Sequence, residues 1–180
     1  MVRLPRIRAV PQNLSVFVLD LFFGFFSSRE EGQSHHICPA IGALLCTLET
    51  LHLRLRTICP NDLKPRDPGN KLRLNVVAVH LDLVANQGVA MTMANSTRCG
   101  SAAGGQPPLR ADMQEQAEAL ATRMASPKTV RILEYSELYE PLSYELRSFD
   151  VLTGKTMVLD DDMAWDDDGR IVESEGSGPE

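Results

Sequence analysis

Aromatic residues are scarce in this chain, at 6% of 180 residues, and Trp165 is the only tryptophan. No apolar run reaches the roughly 18 residues that a membrane-spanning helix needs, so we predict no membrane span. Basic side chains are fewer than acidic ones, 18 against 24, which argues against binding of nucleic acid through overall charge. The cysteines form no CxxC pair, and no second ligand pair accompanies His35, His36, Cys38 and Cys46. We therefore expect free thiols, no metal site and no cofactor.

Charge is unevenly distributed along the chain. Residues 1–110 carry a net charge of +5, whereas residues 111–180 carry −11 and hold every tyrosine as well as Trp165. The length suits one domain of ordinary size. An apolar run over residues 14–26 follows three arginines in the layout of a secretory signal, but Asp20 interrupts it. We expect a soluble, cytoplasmic protein, with export as the alternative.

Composition and periodicity divide the chain into five parts. Residues 86–108 are small or polar almost throughout, which is typical of a linker. The expected parts are a poorly ordered apolar and basic segment (1–36), a helix and a strand of uncertain packing (37–85), the linker (86–108), an α+β portion (109–174) and a tail (175–180).

Two helices are predicted from apolar residues at helical spacing. The first lies between Pro39 and Pro60 and would present Leu44, Leu48, Leu51 and Leu55. The second begins at its cap Asp112, ends at Ser126 and would present Met113, Ala117, Leu120 and Met124. Between them, residues 71–85 predict a strand that has a bulge or is buried on both faces, with two helical turns as the alternative.

Antiparallel strands are predicted beyond Pro127, where apolar residues recur with a period of two. A Thr-Gly pair predicts a turn at residues 153–154, before a strand at residues 155–159. A second turn signal, at residues 168–169, predicts a hairpin between the segment near Trp165 and residues 170–173.

The sequence offers two chemical motifs of low specificity. His80 and Asp82 share a face of the predicted strand and suit a base with its orienting carboxylate, although polar residues on the wet side of a strand are the preferred interpretation. Residues 164–175 match much of an EF-hand calcium loop, but Ala164 replaces its first ligand. We expect an acidic hairpin without a calcium site.

The segment TGKTMVLDDDMAWDDDGRIVES, residues 153–174, resembles the closing strands of the SnoaL-like group in the NTF2-like superfamily. In that group a Thr-Gly turn precedes a strand, and an aromatic residue leads into Asp-Gly-Arg-Ile and a Glu, here Trp165, residues 168–171 and Glu173. The resemblance extends over residues 110–174. It implies an α+β fold with a helix packed on a curved antiparallel sheet, a complete or partial cone around an apolar cavity.

What the resemblance implies about function is a small-molecule binding protein, including polyketide cyclase-like and isomerase-like enzymes that use general acid-base chemistry. The alternative is a non-catalytic interaction or dimerisation module. The expected partners are a small apolar ligand or a second copy of the chain. Asp150 and His80 are catalytic candidates by residue type alone, so the catalytic residue stays unassigned. Tyr144 and Trp165 are the residues expected to line the cavity, because each joins an apolar face to a polar tip.

Overall fold

The computed structural model describes residues 14–21, 37–55, 59–67, 69, 71–81, 109–137, 144–160 and 163–172. The predicted linker, the tail and the His35–His36 pair lie outside the described residues, as does the N-terminal segment apart from residues 14–21. The elements are β1 (Val16–Leu21), α1 (Cys38–Leu44), β2 (Thr50–Leu55), a 3-10 helix (Pro60–Leu63), β3 (Val76–Leu81), α2 (Leu109–Arg123), β4 (Thr129–Glu137), β5 (Tyr144–Asp150), β6 (Lys155–Leu159) and β7 (Arg170–Ile171).

The seven strands form one open sheet in chain order, with β1 and β7 at its two edges. Strands β1 to β4 are parallel, whereas β4 to β7 are antiparallel. The α+β character is therefore confirmed, and the antiparallel pairing holds for the C-terminal strands. The N-terminal strands differ because each is joined to the next by a crossover, which parallel neighbours require.

The predicted helix between Pro39 and Pro60 is correct only in its first part. Helix α1 ends at Leu44, and residues 50–55 form strand β2 instead. Leu51 and Leu53 are fully buried, while His52 between them and Arg54 after them are polar. This alternation of buried and polar residues fits a strand. Leu51 and Leu55, whose spacing of four residues predicted a helix, also satisfy a period of two.

Strand β3 and helix α2 are confirmed, but both bounds of the helix are corrected, since it ends at Arg123 and not at Ser126. Strand β3 is buried on both faces from Val77 to Leu81, as one of the alternatives stated. The predicted stripe of α2 is buried at all four positions, Met113, Ala117, Leu120 and Met124. The helix begins at Leu109, so Asp112 lies in its first turn and is not the cap.

The first C-terminal hairpin is confirmed, because strands β5 and β6 pair across the turn at residues 151–154. The second is corrected: residues 170–171 form β7 and pair with β6, whereas the segment near Trp165 forms turns and pairs with no strand among the described residues. Strands, and not the helices of an EF-hand, flank residues 160–169.

One face of the sheet packs against the helices and forms the main core. Strand residues and helix residues are interleaved there, and 18 of them are buried. Those from the sheet are Leu51, Leu53, Val77, Val79, Leu81, Val130 and Ile132, and those from α1 and α2 include Ile41, Leu44, Met113 and Leu120. Alternation along each strand therefore leaves the intervening residues on the opposite face.

Gly42 of α1 lies against the backbone of the segment that follows the 3-10 helix. Its carbonyl accepts a hydrogen bond from the Arg66 amide at 3.2 Å, and a Cβ atom at position 42 would lie 2.7 Å from the Lys64 carbonyl oxygen. Only glycine fits without a shift of one backbone against the other.

We predict that Gly42→Ala lowers the free energy of unfolding by on the order of 2 kcal/mol, because the contact outweighs the helix preference of alanine. Urea unfolding measures this change. Gly69→Ala is the matched control, since its Cβ atom would meet nothing closer than 3.6 Å. A stabilised Gly42→Ala variant would contradict the close approach.

Candidate functional site

The face of the sheet opposite the helices, which we call the second face, carries most of the polar side chains of the central strands. The strand register places Arg54 beside His80, and His52 beside Ala78. Ala78 in turn lies beside Arg131. The second face comprises Asp20, His52, Arg54, Ala78, His80, Arg131, Leu133, Tyr135, Leu146, Ser148 and Asp150.

Residues 163–169, which we call the covering loop, pass from β6 across the second face towards β2 and β3. Met163 and Trp165 pack on a small apolar cluster formed by Ala78, Leu133, Leu146 and Leu159. At its end, Gly169 lies so close to β6 that a Cβ atom would stand 2.1 Å from the Val158 carbonyl oxygen. The Asp-Gly signal in the sequence thus marks a close backbone approach.

Arg131 anchors the covering loop through polar contacts. Its guanidinium donates a hydrogen bond to the Asp168 carboxylate at 2.6 Å and another to the Asp167 carbonyl oxygen. The Arg131 side chain is 4% exposed, whereas Asp168 is 92% exposed. The buried guanidinium of Arg131 on β4 therefore binds the exposed Asp168 carboxylate of the covering loop.

Trp165 lies over both histidines of the second face. The indole ring is 5.8 Å from the His52 ring and 5.4 Å from the His80 ring, the latter in an edge-on arrangement. Tyr135 contacts His80 from the neighbouring strand at 5.3 Å. These centroid distances are typical of aromatic contacts that contribute beyond simple burial.

Both histidines are held neutral by their surroundings. Burial, and secondly the positive charge of Arg54, lowers the pKa of His80 from 6.5 to about 3. Burial lowers the pKa of His52 as well, and the Asp166 carboxylate opposes that shift in part. Each neutral ring offers one hydrogen-bond donor and one acceptor.

Several buried polar atoms on this face have no hydrogen-bond partner among the described residues. They include His52 Nε2, both ring nitrogens of His80, Arg131 Nε and Ser148 Oγ. Buried polar atoms in folded proteins nearly always have a partner, so each exception calls for an explanation. The histidine atoms surround Trp165, while Ser148 lies two strands away from His80, beyond Leu133.

The structure brings together only part of the set predicted from sequence. Trp165 lies at the centre of the site, whereas Tyr144 begins β5, is 37% exposed and has no ring contact with Trp165 among the described residues. His80 is 1% exposed, so its assignment to the wet side of a strand was wrong. Asp82 lies outside the described residues. The Asp150 carboxylate accepts hydrogen bonds from two amides of the following turn.

Three residues of the site escaped the sequence analysis: His52, Arg54 and Arg131. The alternation of leucine with His52 and Arg54 in β2 was the available signal, and it was hidden by the helical interpretation. Arg131 sits between the buried residues Val130 and Ile132 of β4, so the period of two predicted for the strands beyond Pro127 places Arg131 on the opposite face.

A groove of about 550 Å³ lies on the helix side of the sheet, away from the second face. Its walls come from α1 and the segment around the 3-10 helix: Cys38, Pro39, Gly42, Asn61, Lys64, Pro65 and Arg66. Within the described part of the chain, His, Cys, Asp and Glu side chains form no group of three suited to a metal ion. No helix of that part has the length and apolar character to cross a membrane.

Comparison of the chain with protein-family models, with curated proteins and with solved structures found no match in any of the three. The site must therefore be interpreted from its own geometry.

We predict that acid destabilises the fold through His80. Its pKa in the folded state lies below the value of 6.5, so the unfolded chain binds more protons and stability falls as the pH drops from 6.5 towards 3. The slope from this single group is about 1.4 kcal/mol per pH unit. Urea unfolding between pH 7 and pH 4 should show this slope reduced in His80→Phe, and an unchanged slope would refute the assignment.

Proposed function

We propose that the chain is a small-molecule binding protein whose ligand binds on the second face, against His52 and His80. The observation that carries this proposal is that His52 and His80, whose rings contact Trp165, hold three buried ring nitrogens without a hydrogen-bond partner in the described part of the chain. A ligand that satisfied these atoms would recover the hydrogen bonds whose loss costs roughly 1–3 kcal/mol per buried group.

The charges of the site favour an uncharged ligand. Arg131 is paired with Asp168, and Arg54 approaches Asp20 at 3.7 Å. The two histidines are neutral and present donors and acceptors rather than charge. Because His80 is 1% exposed, a ligand reaching its ring must take the place of the Trp165 indole, which favours a planar molecule. The proposed class is an uncharged planar molecule with adjacent donor and acceptor groups, such as a primary amide on a ring.

Binding is favoured over acid-base catalysis at His80. A general base works best when its pKa lies near the operating pH, and the pKa of about 3 makes this imidazole a weak base at neutrality. The SnoaL-like resemblance supports the same broad class of small-molecule binding. The cone, the cavity lined by Tyr144 and the cyclase or isomerase activity stay predictions from that resemblance.

We predict that benzamide binds and that benzoate, its anionic counterpart of the same shape, does not. The chain has one tryptophan, so a single indole N–H signal in a ¹H–¹⁵N NMR spectrum reports on the site. Saturable binding of benzamide is expected with a Kd on the order of 1 mM, reasonable for so small a molecule. His80→Phe removes a hydrogen-bonding ring and should weaken binding about tenfold.

Tyr144→Phe provides the control for this titration, and we expect it to leave the Kd of benzamide unchanged. An equal loss with Tyr144→Phe would place the ligand elsewhere and contradict the second-face site. No response to benzamide at saturating concentration, or a stronger response to benzoate, would overturn the proposed ligand class.

A second function, dimerisation, is favoured by the exposed edge of the sheet. Val16 and Val18 of β1 are 53% and 57% exposed and lie on the second face, beside Thr50 and His52. Among the described residues, β1 pairs with β2 alone. Exposed apolar residues on an edge strand promote pairing with another chain.

If β1 mediates a dimer, Val18→Lys should convert it to a monomer in sedimentation equilibrium. Ile171→Lys is the matched control, because Ile171 is 58% exposed on the opposite edge strand, β7. A wild-type protein that stays monomeric at high concentration, or a dimer lost equally in both variants, would contradict a role for β1.

A further inference from the structure

The covering loop is fastened to the sheet by two kinds of contact that respond differently to acid. The Arg131 guanidinium donates hydrogen bonds to the Asp167 carbonyl oxygen and to the Asp168 carboxylate, and neither contact involves a histidine. The aromatic contacts of Trp165 instead rest on two histidine rings that must stay neutral while they are covered.

The charged groups around these rings come from every element of the site. The neighbours of His80 offer no carboxylate in direct register: Arg54 lies on one side and Leu133 on the other. A proton on His80 would thus place a second cation next to Arg54, beneath an indole ring. The titratable and charged groups facing the two histidines are Asp20 of β1, Arg54 of β2, Arg131 and Tyr135 of β4, Asp150 of β5, and Asp166 and Asp168 of the covering loop.

We propose that the covering loop is an acid-released cover: when His80, assisted by His52, takes up a proton, residues 163–169 leave the second face and expose Trp165. Release lets water reach the imidazolium and removes the Trp165 indole from its contact with the ring. That the covering loop controls access of a ligand to the second face rests on the proposed function. The opening of the loop itself is measured without any ligand.

The expected size of the effect follows from His80 alone. The pKa is about 3 when His80 is covered, and 6.5 is the upper limit for the uncovered ring because Arg54 stays beside it, so His80 makes loop opening up to about 30-fold more favourable at pH 5 than at pH 7.5. His52 adds to this factor, because burial lowers its pKa too.

The test measures how fast a tryptophan-selective alkylating reagent, 2-hydroxy-5-nitrobenzyl bromide, modifies Trp165 in the full chain. Each rate is divided by the rate for N-acetyltryptophanamide at the same pH, and Trp165 is the only tryptophan to react. Between pH 7.5 and pH 5 the relative rate is expected to rise at least about tenfold, with the ~30-fold factor as the upper limit for the share of His80.

Two variants distinguish the contribution of the histidines to loop opening from that of Arg131. In His80→Phe most of the rise in the relative rate between pH 7.5 and pH 5 should disappear. In Arg131→Met the relative rate should increase by a similar factor at both pH values, because the two contacts that are lost, to the Asp167 carbonyl oxygen and to the Asp168 carboxylate, do not involve the histidines.

A relative rate that does not change with pH in the wild type would overturn the proposal, as would the full rise in a His52→Phe, His80→Phe double variant. Should the variants not fold, ¹⁵N NMR of the wild-type imidazoles decides. A His80 ring that takes up its proton near pH 6 while Trp165 stays protected contradicts acid release. Failure of benzamide to bind leaves this measurement unaffected, so the two proposals fail separately.

Discussion

The central constraint on this fold is that β2 and β3 have strands on both sides and must be covered on both faces. On one face, α1 and α2 supply the cover, and the strand residues there are uniformly apolar. On the second face the described cover is a short loop that carries one large side chain, Trp165. A loop cannot exclude water from a whole sheet face as a helix layer does. The polar residues of the second face are therefore buried under a cover that excludes water incompletely.

This burial explains why the histidines of the site are uncharged. Desolvation of an ionised group is costly unless it is paired, so the two rings give up their charge while the guanidiniums keep theirs and lie near carboxylates. The result is a patch with little net charge and many hydrogen-bonding atoms. Such a surface discriminates by the match of donors and acceptors rather than by long-range attraction.

Sequence patterns predicted the local elements better than the architecture. Helix α2 and the strands after Pro127 were found because propensity and period agree in them, and the turn at residues 153–154 follows from its own residues. The parallel pairing of β1 to β4 depends on contacts between residues far apart in sequence, which no local period encodes. Trp165 could be singled out by its type. Its contact with His52 could not, because the sequence does not reveal that a loop after β6 reaches β2.

The change from parallel to antiparallel pairing at β4 also bears on the order in which the chain folds. Strands β4 to β7 join neighbours that are close in sequence, so their hairpins close short loops. In contrast, 47 residues lie between the end of β3 at Leu81 and the start of β4 at Thr129. Bringing these two strands together carries a larger entropic cost, and contacts of that range slow folding. The hairpin of β4 with β5 is therefore expected to form early. The later pairing of β3 with the other edge of β4 is expected to set the rate at which the sheet is completed.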